Sequence, residues 1–467
     1  MKQLFFDDEK LFGRENVIRE YVSPELAATY SDGTFSTDYN VVYVFRTNDM
    51  AYKMIYYGIH KDTKQHAVLM ASGTDGLHFE PEDLTQKVVL ENRIAKHELI
   101  KLPEGSEIAS IYEDSTAQSS ERYKMLVCTL NGPQLHIDNR LYVSTDLYHW
   151  VWQEDVCWGT GAEPLAGVFY NHDRHCHTIM LRPYWGIRRV GYVETKDWKT
   201  FSRFSPSLQA DSMDQPLEEI YGMPAFAYGN MYIGFPHIFK NLTSSYSAKF
   251  FGGDIVAQLA YSFDGRHWQR SLRTTFLAGD AADHLLWLMD MKSFNKGLIN
   301  LYACTSKYEH GPAFRNPGTG IVKIYQLRED RFITLKTENA ENDSTVTTRE
   351  KVWHGGELHV NLSAEYATIS ILDSSETSDV GGNVLGISHR LEGYSHEDCV
   401  PFSGDSIDWV PKFKNGKTMN DLKEQTIVIE IKFRKGSLFS LTGDYTNVSN
   451  TQAARYRKFH VLPENNY

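Results

Sequence analysis

Ser72-Gly-Thr-Asp75-Gly-Leu-His-Phe79, Ser144-Thr-Asp146-Leu-Tyr-His-Trp150, Glu194-Thr-Lys-Asp197-Trp-Lys-Thr-Phe201 and Ser262-Phe-Asp264-Gly-Arg-His-Trp268 are four versions of one turn. Each places an aromatic residue four positions after an Asp and follows a β-prone run such as Ala67-Val-Leu-Met70 or Leu141-Tyr-Val143. The Asp residues are 71, 51 and 67 positions apart. Asp accepts main-chain N–H bonds in a tight turn, and Gly76 or Gly265 supplies a positive φ. The aromatic residue is expected to pack between neighbouring sheets. A supersecondary unit returning at this period predicts a β-propeller.

The 467 residues are 41% hydrophobic and 13% aromatic, a length that accommodates two or three domains. Short alternating runs bounded by Gly, Asn and Asp dominate, and long patterns of period 3.6 are scarce, so the chain reads as all-β. The net charge of −12, without a basic run, argues against nucleic acid and anionic membranes as partners. No stretch approaches the ~20 apolar residues of a spanning helix. Met1–Asp8 has no apolar signal region. The chain therefore reads as cytoplasmic, or as periplasmic or secreted if a signal peptide has been removed. Five widely spaced cysteines without a C-x-x-C pair fit a reducing compartment rather than a disulfide scaffold.

Strand-like runs precede each Asp turn at Asp38–Phe45, Glu107–Tyr112, Glu163–Tyr170 and Tyr221–Phe226, and a fifth group starts at Asp283–Met289. Five blades then fill residues 1–336. The polar stretch Lys336–Thr345 reads as a linker. Strands at Glu357–Leu362, Tyr366–Leu372, Gln425–Lys432 and Ser437–Leu441 predict a β-sandwich over 345–467. The expected architecture is thus a five-bladed β-propeller followed by a C-terminal β-sandwich.

These turns, with the opening Leu4-Phe-Phe-Asp-Asp8 and the tail Gly393-Tyr-Ser-His-Glu-Asp-Cys399 and Gly404-Asp-Ser406, resemble the five-bladed glycoside hydrolase superfamily of invertases, levanases and arabinanases (glycoside hydrolase families 32 and 43). The likeness is to its uncharacterised bacterial members. It implies a glycosidase, most simply exo-acting on a small saccharide or chain end, with a carbohydrate as its partner. It carries over Asp38 as nucleophile or base, Glu163 in Ala-Glu-Pro164 as the residue that grips the sugar and stabilises the transition state, and Glu219 as nearest to the acid. The Asn-Asp-Pro-Asn and Glu-Cys-Pro signatures of those enzymes are absent, so no particular sugar is implied.

The residues point the same way. Asp38, Glu107, Glu163, Glu218 or Glu219, and Asp280 or Asp283 stand at blade starts, where carboxylates would face a shared axis and raise one another's pKa. Glu107 and Asp283 are taken as substrate-binding. Arg182-Pro-Tyr-Trp185-Gly-Ile-Arg188-Arg189 sets guanidiniums beside aromatics, a pairing suited to a polyhydroxylated or anionic substrate, with Arg182 and Trp185 in contact with it. His172-Asp-Arg-His175-Cys-His177 reads as a β-turn rather than a metal cluster, His310 as structural, and no metal or cofactor is expected. Two other readings remain open: a glycoside phosphorylase using Arg182, Arg188 and Arg189 for phosphate, and a non-catalytic carbohydrate-binding propeller. The sequence is silent on oligomeric state.

Overall fold

The computed structural model of the chain describes residues 1–37, 41–131, 136–158, 162–183, 187–241, 252–311, 313, 319–373 and 389–462. Nearly all regular structure is β. Two compact units form, one of Ser23–Leu327 and one of Met1–Val22 with Arg328–Tyr467.

The Ser23–Leu327 unit is a propeller-like arrangement of meandering sheets. We label five of its strands β1 (Val42–Arg46), β2 (Ser106–Glu113), β3 (Ala162–Asn171), β4 (Ala225–Tyr228) and β5 (Leu285–Lys292). β2 and β3 each open a four-stranded sheet, β4 opens a three-stranded one, and β1 and β5 lie in larger sheets. Glu25–Tyr30 pairs with Ile321–Arg328, Val322 opposite Tyr30 and Ile324 opposite Ala28. A strand from the start of the unit is thereby hydrogen-bonded to one from its end.

The labelled strands converge. One cavity of about 420 Å³ is lined by Tyr43 of β1, Ile111 of β2, Val168 of β3, Ala227 of β4 and Met291 of β5. Val44 N donates to Asp290 Oδ2 at 2.8 Å, joining β1 to β5. Tyr43 Oη donates to Ala109 O at 3.3 Å, joining β1 to β2. A Cβ built on Gly167 would lie 2.3 Å from Ala225 N, so β3 and β4 touch main chain to main chain.

The Asp turns have the expected chemistry. Asp264 Oδ1 accepts Arg266 N and His267 N, both at 2.8 Å, and Asp197 Oδ1 accepts Lys199 N and Thr200 N at 2.9 and 2.8 Å. Gly76 and Gly265 have φ of +76° and +73°, while Leu147 and Trp198 adopt +71° and +57° at the same position without being glycine. Trp268 is buried. Its ring lies 6.2 Å from that of Phe169 in the preceding sheet, and Gly234 leaves room for it. Trp268→Ala is expected to cost about 3–5 kcal/mol and Asp264→Ala about 1–3 kcal/mol, both read by equilibrium urea unfolding. Loss of activity at unchanged stability would instead make these turns part of the site.

The turns also set an acid limit. Burial pushes the Asp264 carboxyl up, but hydrogen bonds from His267, Arg266 and Ser262 outweigh it and hold the group at about 2. Hydrogen bonds from Thr200 and Lys199 hold Asp197 at about 2. These values lie below the ~3.9 of an unfolded Asp. The turns therefore contribute their full stability above about pH 4 and lose it as pH falls through about 2. The melting temperature should drop between pH 4 and 2, and by less in Asp264→Asn.

The second unit differs from the linker-and-sandwich expectation in three respects. Lys336–Thr345 is not a linker: strands Ile333–Thr337 and Ser344–Thr348 border it, and Asn16 holds the turn between them, donating to Asn339 O and Asn342 O and accepting from Asn339 N. The N-terminal residues belong with this unit, since Lys2–Leu4, Leu11–Glu15 and Val17–Tyr21 all pair with its strands. The four short strands are two long ones, Lys351–Asp373 and Gln425–Asn447. Val360 lies opposite Leu441 and Asp373 opposite Ile427, while Lys351 pairs with both Ile427 and Asn447. The sheet thus curls back on itself over a core of Trp353, Ile369, Ile429, Phe433 and Leu441. The chain also forms a helix, Asn450–Phe459, capped reciprocally by Ser449 and Gln452.

All five cysteines are free, and only Cys157 is exposed. Among the described residues no helix is long and apolar enough to cross a membrane.

Candidate functional site

Tyr43 of β1 and later residues of β2, β3, β4 and β5 line the cavity. Side chains from the end of Cys176–Pro183, from Arg188 before the strand Val190–Thr195 and from the start of β5 converge on Tyr221, itself near the end of Glu218–Gly222. Arg182, paired across the sheet with Glu163 near the start of β3, sets its guanidinium carbon 4.3 Å from the centre of the Tyr221 ring. Arg188 lies 5.0 Å from the same ring and 4.9 Å from that of Phe239. Trp287, near the start of β5, meets Tyr221 edge-on at 5.1 Å. Tyr221 Oη is 2.8 Å from His310 Nε2. The group combines two cations with a cage of aromatic rings.

Its surroundings are strained and partly unpaired. β3 is irregular between Glu163 and Gly167, and within that stretch Leu165 has φ of +83°. A branched side chain adopts this conformation at a cost, and such outliers cluster at functional sites. Leu165 is held there by packing, for a Cβ on Gly222 would meet its Cβ at 2.8 Å. Trp287 is 3% exposed, and its indole N–H finds no acceptor among the described residues. A buried donor of this kind is satisfied by a ligand or by water. Behind it His237 is fully buried; burial lowers its pKa to about 4, so the ring is neutral near pH 7, with Nε2 3.0 Å from Leu288 O.

The residues expected from the sequence are distributed as follows. Arg182 is central to the group. Glu219 is beside it and accepts a hydrogen bond from Arg188, so one carboxylate oxygen is engaged by a guanidinium. Glu163 has its main chain opposite Arg182. Asp38 and Trp185 lie outside the described residues. Glu107 stands apart: it pairs with Cys128 and lines a separate cavity of about 570 Å³ with Tyr57, His66, Glu98 and Lys101. Asp283 Oδ2 is 2.5 Å from Lys323 Nζ and also accepts Asp280 N at 2.8 Å. It neutralises a buried lysine. His172–His175 form a turn, as the sequence suggests.

Tyr221 and Trp287 were within reach of sequence reasoning, since both fall in runs that mark strand starts. Their facing each other was not. Another carboxylate near a strand start, Asp32, is buried and committed to structure. It accepts from Tyr56 Oη at 2.7 Å and lies 2.7 Å from His97 Nε2. Burial pushes its pKa up, and these hydrogen bonds outweigh that and hold it at about 2.

No protein-family model matches the chain, and no curated protein matches it in sequence. Among solved structures it is similar to an N-acetylgalactosamine deacetylase from F. plautii in complex with blood group B trisaccharide, at 10% identity over 68% of this chain and 97% of that one, with a TM-score of 0.43. It is similar to a glycosyl hydrolase from Bacteroides ovatus at 13% identity, covering 67% and 91%, with a TM-score of 0.43. It is also similar to a structure described under the GH130 family of mannoside phosphorylases, which contains glycoside hydrolases that target β-1,2 mannosidic linkages in Candida mannan, at 13% identity, covering 68% and 95%, with a TM-score of 0.38.

Proposed function

We propose that the chain is a carbohydrate-active protein, a glycoside hydrolase that cleaves a small saccharide or a chain end at the Tyr221 group. One observation carries this reading: Arg182 and Arg188, from one sheet and the segment between two of its strands, and Trp287, from another sheet, converge on Tyr221. Aromatic faces bind the C–H faces of a sugar ring, while guanidinium and indole N–H groups bind its oxygens. The proposal includes five blades, supported by the five strands lining one cavity, and a β-sandwich in the curled second unit. Asp38 acts as base or nucleophile, Glu163 grips the sugar, and Glu219 donates the proton once substrate draws Arg188 away from it.

A phosphorylase on the same site is the second reading. Two guanidiniums on one ring concentrate positive charge that suits phosphate or a uronic acid. Screening aryl glycosides and short fructans, arabinans and mannans, with and without phosphate, separates the two. Phosphate-independent turnover supports the hydrolase. Strict phosphate dependence supports the phosphorylase. Binding without turnover leaves a carbohydrate-binding propeller, and no binding at all sinks the proposal.

A further inference from the structure

We propose that Asp254, His284 and Glu309 form a binding site for one divalent transition-metal ion. Their ligand atoms lie within 4.8 Å of one another, and His284 Nδ1 is 2.8 Å from Asp254 Oδ1. The three come from the ends of adjacent strands. Asp254 opens Asp254–Ala257, His284 immediately precedes β5, and Glu309 follows Leu298–Ser306. Ile255 pairs with Leu285, and Leu285 with Ser306.

The main chain at each position is held in place. Ile255 N donates to His284 O, His284 N to Ser306 O and His310 N to Gly253 O, at 2.9, 2.9 and 3.0 Å. Gly253 N donates to Glu309 Oε2 at 3.2 Å. That bond orients one carboxylate from outside the cluster, as the supporting shell of a metal site does.

Charge is the independent argument. Three other acidic groups of this unit lie against lysine or arginine. Asp280 and Asp283 share Lys323, Asp211 and Asp214 are paired with Arg270 and Arg273, and Glu194 with Arg174 and Arg266. Among the described residues no lysine or arginine is paired with Asp254 or Glu309; the imidazole is the only positive candidate. Two carboxylates at this separation repel unless a cation lies between them. One imidazole nitrogen with two carboxylate oxygens suits Zn²⁺ or Mn²⁺, whereas Ca²⁺ takes six to eight oxygens. His284 and Asp254 are 46% and 40% exposed in their side chains, so the ion would keep open positions toward solvent.

The site shares no residue with the saccharide reading, so either can fail alone. The test is isothermal titration of untagged, chelator-stripped full-length protein with Zn²⁺, Mn²⁺ and Ca²⁺. Wild type should bind one Zn²⁺ or Mn²⁺ per chain and melt at higher temperature with it. His284→Ala and the Asp254→Asn/Glu309→Gln pair should each weaken binding about tenfold or more, while melting like wild type in chelator because these side chains are not core. Absence of stoichiometric binding, a preference for Ca²⁺, or unchanged affinity in the variants would overturn the assignment.

Discussion

Gly167→Val is expected to unfold the Ser23–Leu327 unit or leave it insoluble. Gly167 lies in β3, where that strand abuts the approach to β4. Even a single Cβ there would sit 2.3 Å from Ala225 N, 2.9 Å from Pro224 Cα and 3.0 Å from Met223 O. All three are main-chain atoms, so no rotamer change relieves the overlap. The strands would have to separate, and that would disturb the cluster of Phe169, Ile220, Met223 and Ala225 packed around them. Overpacking of this kind costs about 3 kcal/mol or more for a branched side chain, against a total stability of roughly 5–15 kcal/mol. Gly167→Ala should be milder but still clearly destabilised. A urea midpoint for Gly167→Val equal to that of wild type would show that β3 and β4 are not in contact.

Glu163→Gln is expected to lower turnover roughly 10³-fold while leaving the unfolding curve unchanged, the loss that follows removal of one charged group stabilising a transition state. Three features of its position support this. It precedes Pro164, which limits the backbone. It lies opposite Arg182, whose guanidinium rests on Tyr221. It lies two residues before Leu165, held at positive φ. A residue that grips sugar in both ground and transition states should raise KM as well as lower kcat. Wild-type kinetics in Glu163→Gln, measured on whichever glycoside the screen identifies, would remove it from the site.

Local turn chemistry was the legible part of the sequence. Ser262-Phe-Asp264-Gly265 states its hydrogen bonds and its positive φ in four letters, and the structure makes them. Leu147 and Trp198 show the limit of that reading: the same backbone forms without glycine, with Ser144 Oγ and Thr195 Oγ1 accepting their N–H groups as Ser262 Oγ accepts that of Gly265. Long-range pairing was not legible. The polar stretch after Lys336 resembles a linker until Asn16, more than 300 residues earlier, is seen to bind its carbonyls. Strand length was also hidden. Arg434-Lys-Gly436 looks like a turn, yet Lys435 takes φ of +45° and the strand continues through it. In the site, residue types were legible and proximity was not. Asp283 is an acidic residue at a strand start, as the sequence says, but Lys323 from another strand claims it. Nothing in the spacing of Asp254, His284 and Glu309 announces that adjacent strand ends bring them together.

The most direct measurement of saccharide binding at Tyr221 is a crystal structure of the protein with a saccharide that binds it. A sugar ring is expected at the Tyr221 group, with its oxygens within hydrogen-bond distance of Arg182 or Arg188 and of the Trp287 indole N–H, and with Glu219 turned from Arg188 toward the sugar. Saccharide bound elsewhere, with Tyr221, Arg182 and Trp287 untouched, would contradict it.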